Sequence, residues 1–243
     1  KNSKKLNKKY KALIVDVDGT LIPNKRDGMP SKKVTDAIAK ASKLIHIGVA
    51  TSRPYFALSH IVDHLKLSGP SIIVGGAQII DTTSEKILFE QPLLKKDVLK
   101  AVKDLKSLRV QIAVYDNGKD LIFSKDYKPD NPLQLWIHKL TPKQADTEIA
   151  LLSHIPTISI FKIPSWTKGR IDIVINHASA TKQHAILEVA KILNIETHEI
   201  IGIGDGYNDF PLLMACGLKV AMGNAVDDLK EIADYVAPSV EED

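Results

Sequence analysis

Short apolar runs alternate with stretches of helical spacing along the first 75 residues. Residues 10–15, Tyr-Lys-Ala-Leu-Ile-Val, are followed at once by acids and glycine. A short run of this kind suits a strand buried on both faces. Val34, Ala37, Ile38, Ala41 and Leu44 then recur at the spacing of an amphipathic helix, with Ser31 placed as its N-cap. Residues 45–50 predict a second strand, 56–65 a helix and 71–74 a third strand ending at Gly75-Gly76. This β-α-β-α-β order predicts an α/β fold built on a doubly wound parallel sheet.

The pattern changes near residue 79. Residues 79–80 and 86–89 predict a hairpin, 95–108 a helix, and 110–115 with 121–123 a second hairpin closed around Asn117-Gly118. Strands are expected at 158–163 and 171–175. From 182 the earlier alternation returns, with a helix over 182–193, a strand over 199–203, a helix over 211–216 and short strands at 219–222 and 235–236. The economical reading is one domain interrupted by another. Residues 10–78 and 179–243 form a discontinuous core, residues 79–178 an inserted α+β unit, and residues 1–9 a lysine-rich tail.

Charge changes the picture only at that tail. The 243-residue chain carries +4, yet residues 1–11 hold six lysines and no acid, so the remainder stands at about −2. A nucleic-acid partner is therefore not expected, and a solvated terminus is the simpler reading of the tail. No apolar run approaches the roughly 20 residues of a membrane span, so no membrane association is expected either. Cys216 is the single cysteine, which excludes an internal disulfide and fits a reducing cytoplasm. It reads as helix core. The histidines show no metal-ligand spacing, and Trp136 and Trp166 read as packing or surface of the inserted unit.

Candidate chemistry gathers where predicted strands end. Asp16 and Asp18 follow the first strand, and Gly19-Thr20 follow them. Alone, this pattern serves equally as a turn. Asp205 and Asp209 follow the 199–203 strand in another acid-and-glycine loop. Ligands of open α/β sheets bind at the carboxyl ends of strands, and four carboxylates there make an oxygen-rich site of the kind that suits Mg²⁺. Thr51, at a third strand end, offers a hydroxyl to a phosphoryl oxygen. Lys182, just inside a helix, offers positive charge, although an isolated helix lysine is ordinarily solvated.

In order and spacing these segments resemble the four motifs of the haloacid dehalogenase-like phosphohydrolases, and most closely their Cof-type branch. The matching residues are Asp16-Val17-Asp18-Gly19-Thr20-Leu21, Thr51 in Ala-Thr-Ser-Arg-Pro, Lys182, and Gly204-Asp205-Gly206-Tyr207-Asn208-Asp209, followed by Ala221-Met222-Gly223-Asn224-Ala225. The resemblance implies a Rossmann-like core, the inserted unit serving as a mobile cap. It also implies a Mg²⁺-dependent phosphomonoester hydrolase acting on a small phosphorylated metabolite, such as a sugar phosphate. Asp16 would be the nucleophile that forms an aspartyl-phosphate, and Asp18 the acid and then the base. Asp16, Asp205 and Asp209, with the backbone carbonyl of Asp18, would hold the metal. Thr51, Ser52, Arg53, Lys182 and Asn208 would contact phosphate or substrate; Lys168 and Arg170 could reach an anionic substrate from a cap turn. Phosphoryl transfer to another acceptor, as in a phosphomutase, and a non-enzymatic binding role are the alternatives. This chain departs from the branch at Ser52 and Gln183, and at Gly75-Gly76, where an asparagine side chain is common.

Overall fold

The computed structural model describes residues 9–105, 110–124 and 126–243. The lysine-rich stretch 1–8 and the end of the helix expected over 95–108 lie outside them.

Strand β1 (Ala12–Val15) is buried and central. It runs parallel to β2 (His46–Val49) on one side and β11 (Ile200–Gly204) on the other, with β12 (Leu218–Ala221) and β13 (Tyr235–Val236) beyond, in the order β13-β12-β11-β1-β2. Helices α1 (Lys32–Ala41) and α2 (Ser59–Leu65) cover one face, burying Ile38, Leu58, Ile61 and Leu65 against Val15 and Val49. The other face packs α5 (Lys182–Leu193), α6 (Phe210–Ala215) and α7 (Asp227–Ile232) through Ile186, Val189, Leu212 and Leu229. Helices on both faces explain why these strands read as continuous apolar runs. Ser31 caps α1 by accepting from Val34 N at 3.1 Å, and the helix stops at Ala41, short of Leu44. The helix expected over 56–65 is broken into a 3-10 turn at Tyr55–Ala57 and α2.

The third strand differs from expectation. β3 (Pro70–Ile73) touches the parallel sheet through a bridge from Ile72 to Ala50. Its other edge pairs antiparallel with β4 (Gln78–Asp81), which in turn pairs with β5 (Ile87–Glu90). The hairpin that the pattern placed at the start of the insertion thus extends the core sheet.

The inserted unit is a five-stranded antiparallel sheet in the order β7-β6-β8-β10-β9. It comprises β6 (Ile112–Asp116), β7 (Lys119–Ile122), β8 (Pro132–Leu140), β9 (Ile158–Pro164) and β10 (Ile171–His177). Helices α3 (Lys95–Leu105) and α4 (Pro142–Leu152) back it. Strand β8 and helix α4 have no counterpart in the sequence reading. In β8 the side chains alternate by the two-residue period of a strand. Leu135 and Ile137 join the core beneath the helices, whereas Gln134, Trp136 and His138 take the opposite face, toward the parallel sheet.

Candidate active site

Register brings the first acids together. Val15 of β1 lies opposite Ile203 of β11, so the two strands end side by side, and Asp16 and Asp205 emerge next to each other. Asp16 is still tied to the sheet, its N–H donating to Ile203 O at 2.9 Å. One carboxylate oxygen each from Asp16, Asp205 and Asp209 lies within 4.8 Å of the others. Thr20 Oγ1 donates to Asp205 at 2.6 Å. Gly19, at φ +87°, is required between them, because a Cβ there would strike the Asp205 carboxylate.

Lys182 closes the group from the start of α5. Its Nζ donates to Asp16 Oδ1 at 2.6 Å and to Asp209 Oδ1 at 2.5 Å, and all three side chains are almost wholly buried. The other oxygen of Asp209 accepts the N–H groups of Asp205 and Gly206 at 3.0 and 2.9 Å. Asp209 is thus a brace, fixing both the lysine and the loop that carries Asp205.

Electrostatics follow from this crowding. Burial raises the Asp16 carboxyl well above its ordinary value, and repulsion from Asp209 adds to it despite Lys182. The same two causes push Asp205 up to about 7. Burial pulls Lys182 down, but the carboxylates of Asp16 and Asp209 outweigh it and hold the ammonium above its usual range. One cation thus faces three clustered acids. An all-oxygen donor set with uncompensated negative charge fits a hard divalent cation.

Asp18 stands apart from that cluster. Arg53 grips it with Nε to Oδ2 at 2.8 Å and Nη2 to Oδ1 at 2.6 Å, while Trp166 Nε1 donates to Oδ1 at 3.2 Å. The remaining guanidinium protons go to the carbonyls of Arg26 and Ala57 (from Nη1) and Lys25 (from Nη2) at 2.8–3.1 Å. All five donors of Arg53 are therefore engaged, and its side chain is 1% exposed. Arg53, expected to contact phosphate or substrate, does not line the cleft and spends its donors on Asp18 and on backbone carbonyls. The expected metal role of Asp18 concerned its backbone carbonyl; its carboxylate is directed to Arg53.

A cleft opens over the carboxylates, lined by Asp16, Asp18, Thr51, Ser52, Asp205 and Asn208 below and by Trp136, Ile163, Pro164 and Trp166 above. Thr51 Oγ1 accepts from Arg53 N at 3.1 Å, leaving its proton to donate into the cleft. Asn208 and Ser52 thus join the site; Arg170 lines a separate depression. At the departure noted at residue 75 there is no room for a side chain, because a Cβ on Gly75 would stand 2.6 Å from Asn176 Oδ1.

A profile of the haloacid dehalogenase-like hydrolases matches residues 13–163 and 119–243. The chain belongs to that family. This hydrolase is 26% identical over 239 residues to the 5-amino-6-(5-phospho-D-ribitylamino)uracil phosphatase YcsE of Bacillus subtilis, covering 96% of this chain and 92% of the relative. Its fold matches a haloacid dehalogenase-like hydrolase from B. subtilis with a TM-score of 0.83 and 21% identity, over 96% of each chain. A sugar phosphatase of haloacid dehalogenase subclass IIB superposes with a TM-score of 0.79 and 22% identity, over 96% of this chain and 95% of that one. The hydrolase is accordingly a phosphatase of this superfamily. No helix among its described residues is long and apolar enough to cross a membrane.

Sequence reasoning missed Trp136 and Trp166, which it assigned to packing or surface. Once residues 132–140 are read as a strand, its two-residue period sets Gln134, Trp136 and His138 on one face.

Proposed function

We propose that this chain hydrolyses phosphomonoesters of a small metabolite, a sugar phosphate or similar compound, with Asp16 as nucleophile and Mg²⁺ as cofactor. The observation that carries the reading is the bridge from Lys182 to both Asp16 and Asp209, beside Asp205, at the floor of a cleft closed by the inserted unit. A surface lysine needs no such burial; one that offsets an anionic nucleophile facing an anionic phosphate does.

In this reading, residues 10–78 and 179–243 form the core. The inserted unit, expected over 79–178, is a cap, with hairpin β4–β5 staying on the core sheet to which it is bonded. Asp16 Oδ1 is held by Lys182, and Oδ2 has no hydrogen-bond partner among the described residues, so a lone pair is free to attack phosphorus. A covalent aspartyl-phosphate divides one displacement into two easier ones. As the P–O ester bond breaks, Asp18 supplies a proton to the departing alkoxide, then takes one from the water that cleaves the acyl phosphate and regenerates Asp16. Both Asp18 oxygens accept from Arg53, so the transferred proton rides on a lone pair those bonds leave free. Thr51, Ser52, Asn208 and Lys182 surround the phosphoryl oxygens, where charge spreads in the transition state. Asp16, Asp205 and Asp209, with the Asp18 carbonyl, would hold Mg²⁺. The ion supplies further neutralisation of the phosphoryl charge when bound.

The test is phosphate release with Mg²⁺ from a panel of phosphorylated metabolites, without added acceptor. Asp16→Asn should abolish it. Unchanged turnover in that variant would overturn the reading, and product appearing only with an added phosphoryl acceptor would make the enzyme a transferase.

A further inference from the structure

Trp136 and Trp166 are the chain's two tryptophans, and both line the cleft above Asp16. Their rings lie 6.1 Å apart, and Trp136 stacks on His138 at 5.5 Å. The same two indoles also line an adjoining pocket, walled by Phe56, Tyr115, His138, Arg26 and Asp120. Neither ring is free to turn away. Trp136 Nε1 donates to buried Asp172 at 2.9 Å, and Trp166 is pinned by its hydrogen bond to Asp18 and by the Arg53 guanidinium, which lies 5.0 Å from its ring centre.

Some polar groups beside these rings are already engaged. Asp172 accepts from Trp136, from His138 Nδ1 at 3.2 Å and from Lys139 N at 2.8 Å. Asn24 donates to the Ser165 carbonyl at 3.3 Å. A flat ring would cover indole surface and gain stacking.

From these contacts we infer that the leaving group of the substrate carries a planar aromatic or heteroaromatic ring, which packs on the Trp136–Trp166 wall. This rests on the phosphatase reading of Asp16. Phosphate sits at Asp16 and Thr51, the ester oxygen near Asp18, and the ring lies along the indoles toward the adjoining cavity.

Three primary alkyl esters of similar leaving-group chemistry test it: benzyl phosphate, cyclohexylmethyl phosphate and glucose 6-phosphate, with acetyl phosphate as a ring-free reference. Benzyl phosphate should exceed both other esters in kcat/KM by about tenfold, the scale of a good aromatic contact. Trp136→Leu and, independently, Trp166→Leu should each shrink that ratio toward one. Because the wall holds every tryptophan of the chain, benzylphosphonate, which has no ester bond to hydrolyse, should change the intrinsic fluorescence of the wild-type protein at concentrations where methylphosphonate does not. Equal or faster turnover of glucose 6-phosphate, or an unchanged ratio in both variants, overturns the inference while leaving the phosphatase reading intact. Absence of Mg²⁺-dependent turnover with all four compounds, acetyl phosphate included, overturns both.

Discussion

Arg53 holds Asp18 through two parallel hydrogen bonds of 2.8 and 2.6 Å, while three backbone carbonyls hold Arg53. The acid proposed to act on the leaving group is therefore aimed by a side chain that never faces the cleft. Lysine keeps the charge but cannot make the fork. Arg53→Lys should lower kcat by about 10- to 100-fold with a smaller change in KM, on the order of a misplaced catalytic group. Steady-state kinetics on one substrate check it, and a pure KM effect would count against the positioning role.

Lys182 is the cation between two buried carboxylates, 2.6 Å from Asp16 and 2.5 Å from Asp209. Removing it leaves both unpaired. Lys182→Met should destabilise the fold by about 3–5 kcal/mol, measured by urea unfolding without metal. Adding Asp16→Asn to that variant should recover part of the loss, since one of the stranded charges is gone.

Crowding of acids predicts a metal-linked stability with a definite sign. Asp205 rises from 3.8 to about 7 in the fold, so the folded protein binds that proton more tightly than the unfolded chain does. Metal-free stability should fall as pH rises from about 4 through about 7. Millimolar Mg²⁺ should raise Tm at pH 8 by mass action and do little at pH 5, where protons already occupy the site. Thermal unfolding at both pH values, with Mg²⁺ and with EDTA, measures the difference.

A second buried acid lies far from the cleft. Glu148 of α4 is fully covered, its two carboxylate oxygens have no hydrogen-bond partner among the described residues, and burial pushes it from 4.5 up to about 7. Its raised value means stability is present below about 4.5 and lost as pH climbs through about 7. Glu148→Gln should be more stable than the wild type at pH 8 by on the order of 1–2 kcal/mol, allowing for solvent screening. That advantage should vanish near pH 4. An equal shift at both pH values would rule out titration of Glu148 as its source.

Glu148 also shows why part of the chain was illegible. It occupies a core-facing turn of α4 between Ala145 and Leu152, so an ionisable residue interrupts the apolar stripe by which a helix is read. Strand β8 was obscured differently. Its inner face carries Leu135 and Ile137, but Gln134 and Trp136 are also largely covered, so no clean alternation of apolar and solvated positions marks it. The strands of the parallel sheet had no such competing signal.

Carboxylates at the ends of β1 and β11, the threonine after β2 and the lysine opening α5 could all be placed from the sequence. An apolar run breaking into acid and glycine determines where a parallel strand stops, and its neighbour's register then sets the loops side by side. Contacts between distant segments could not be placed in that way. Trp166 reaches Asp18 across 148 residues and Lys182 reaches Asp16 across 166. That Arg53 turns to Asp18 depends on the loop carbonyls of Lys25, Arg26 and Ala57, and whether two tryptophans are packing or a wall of the cleft depends on how the inserted sheet lies over the parallel one. That placement comes from side-chain packing and hydrogen bonding between segments far apart in the chain, to which local periodicity is blind.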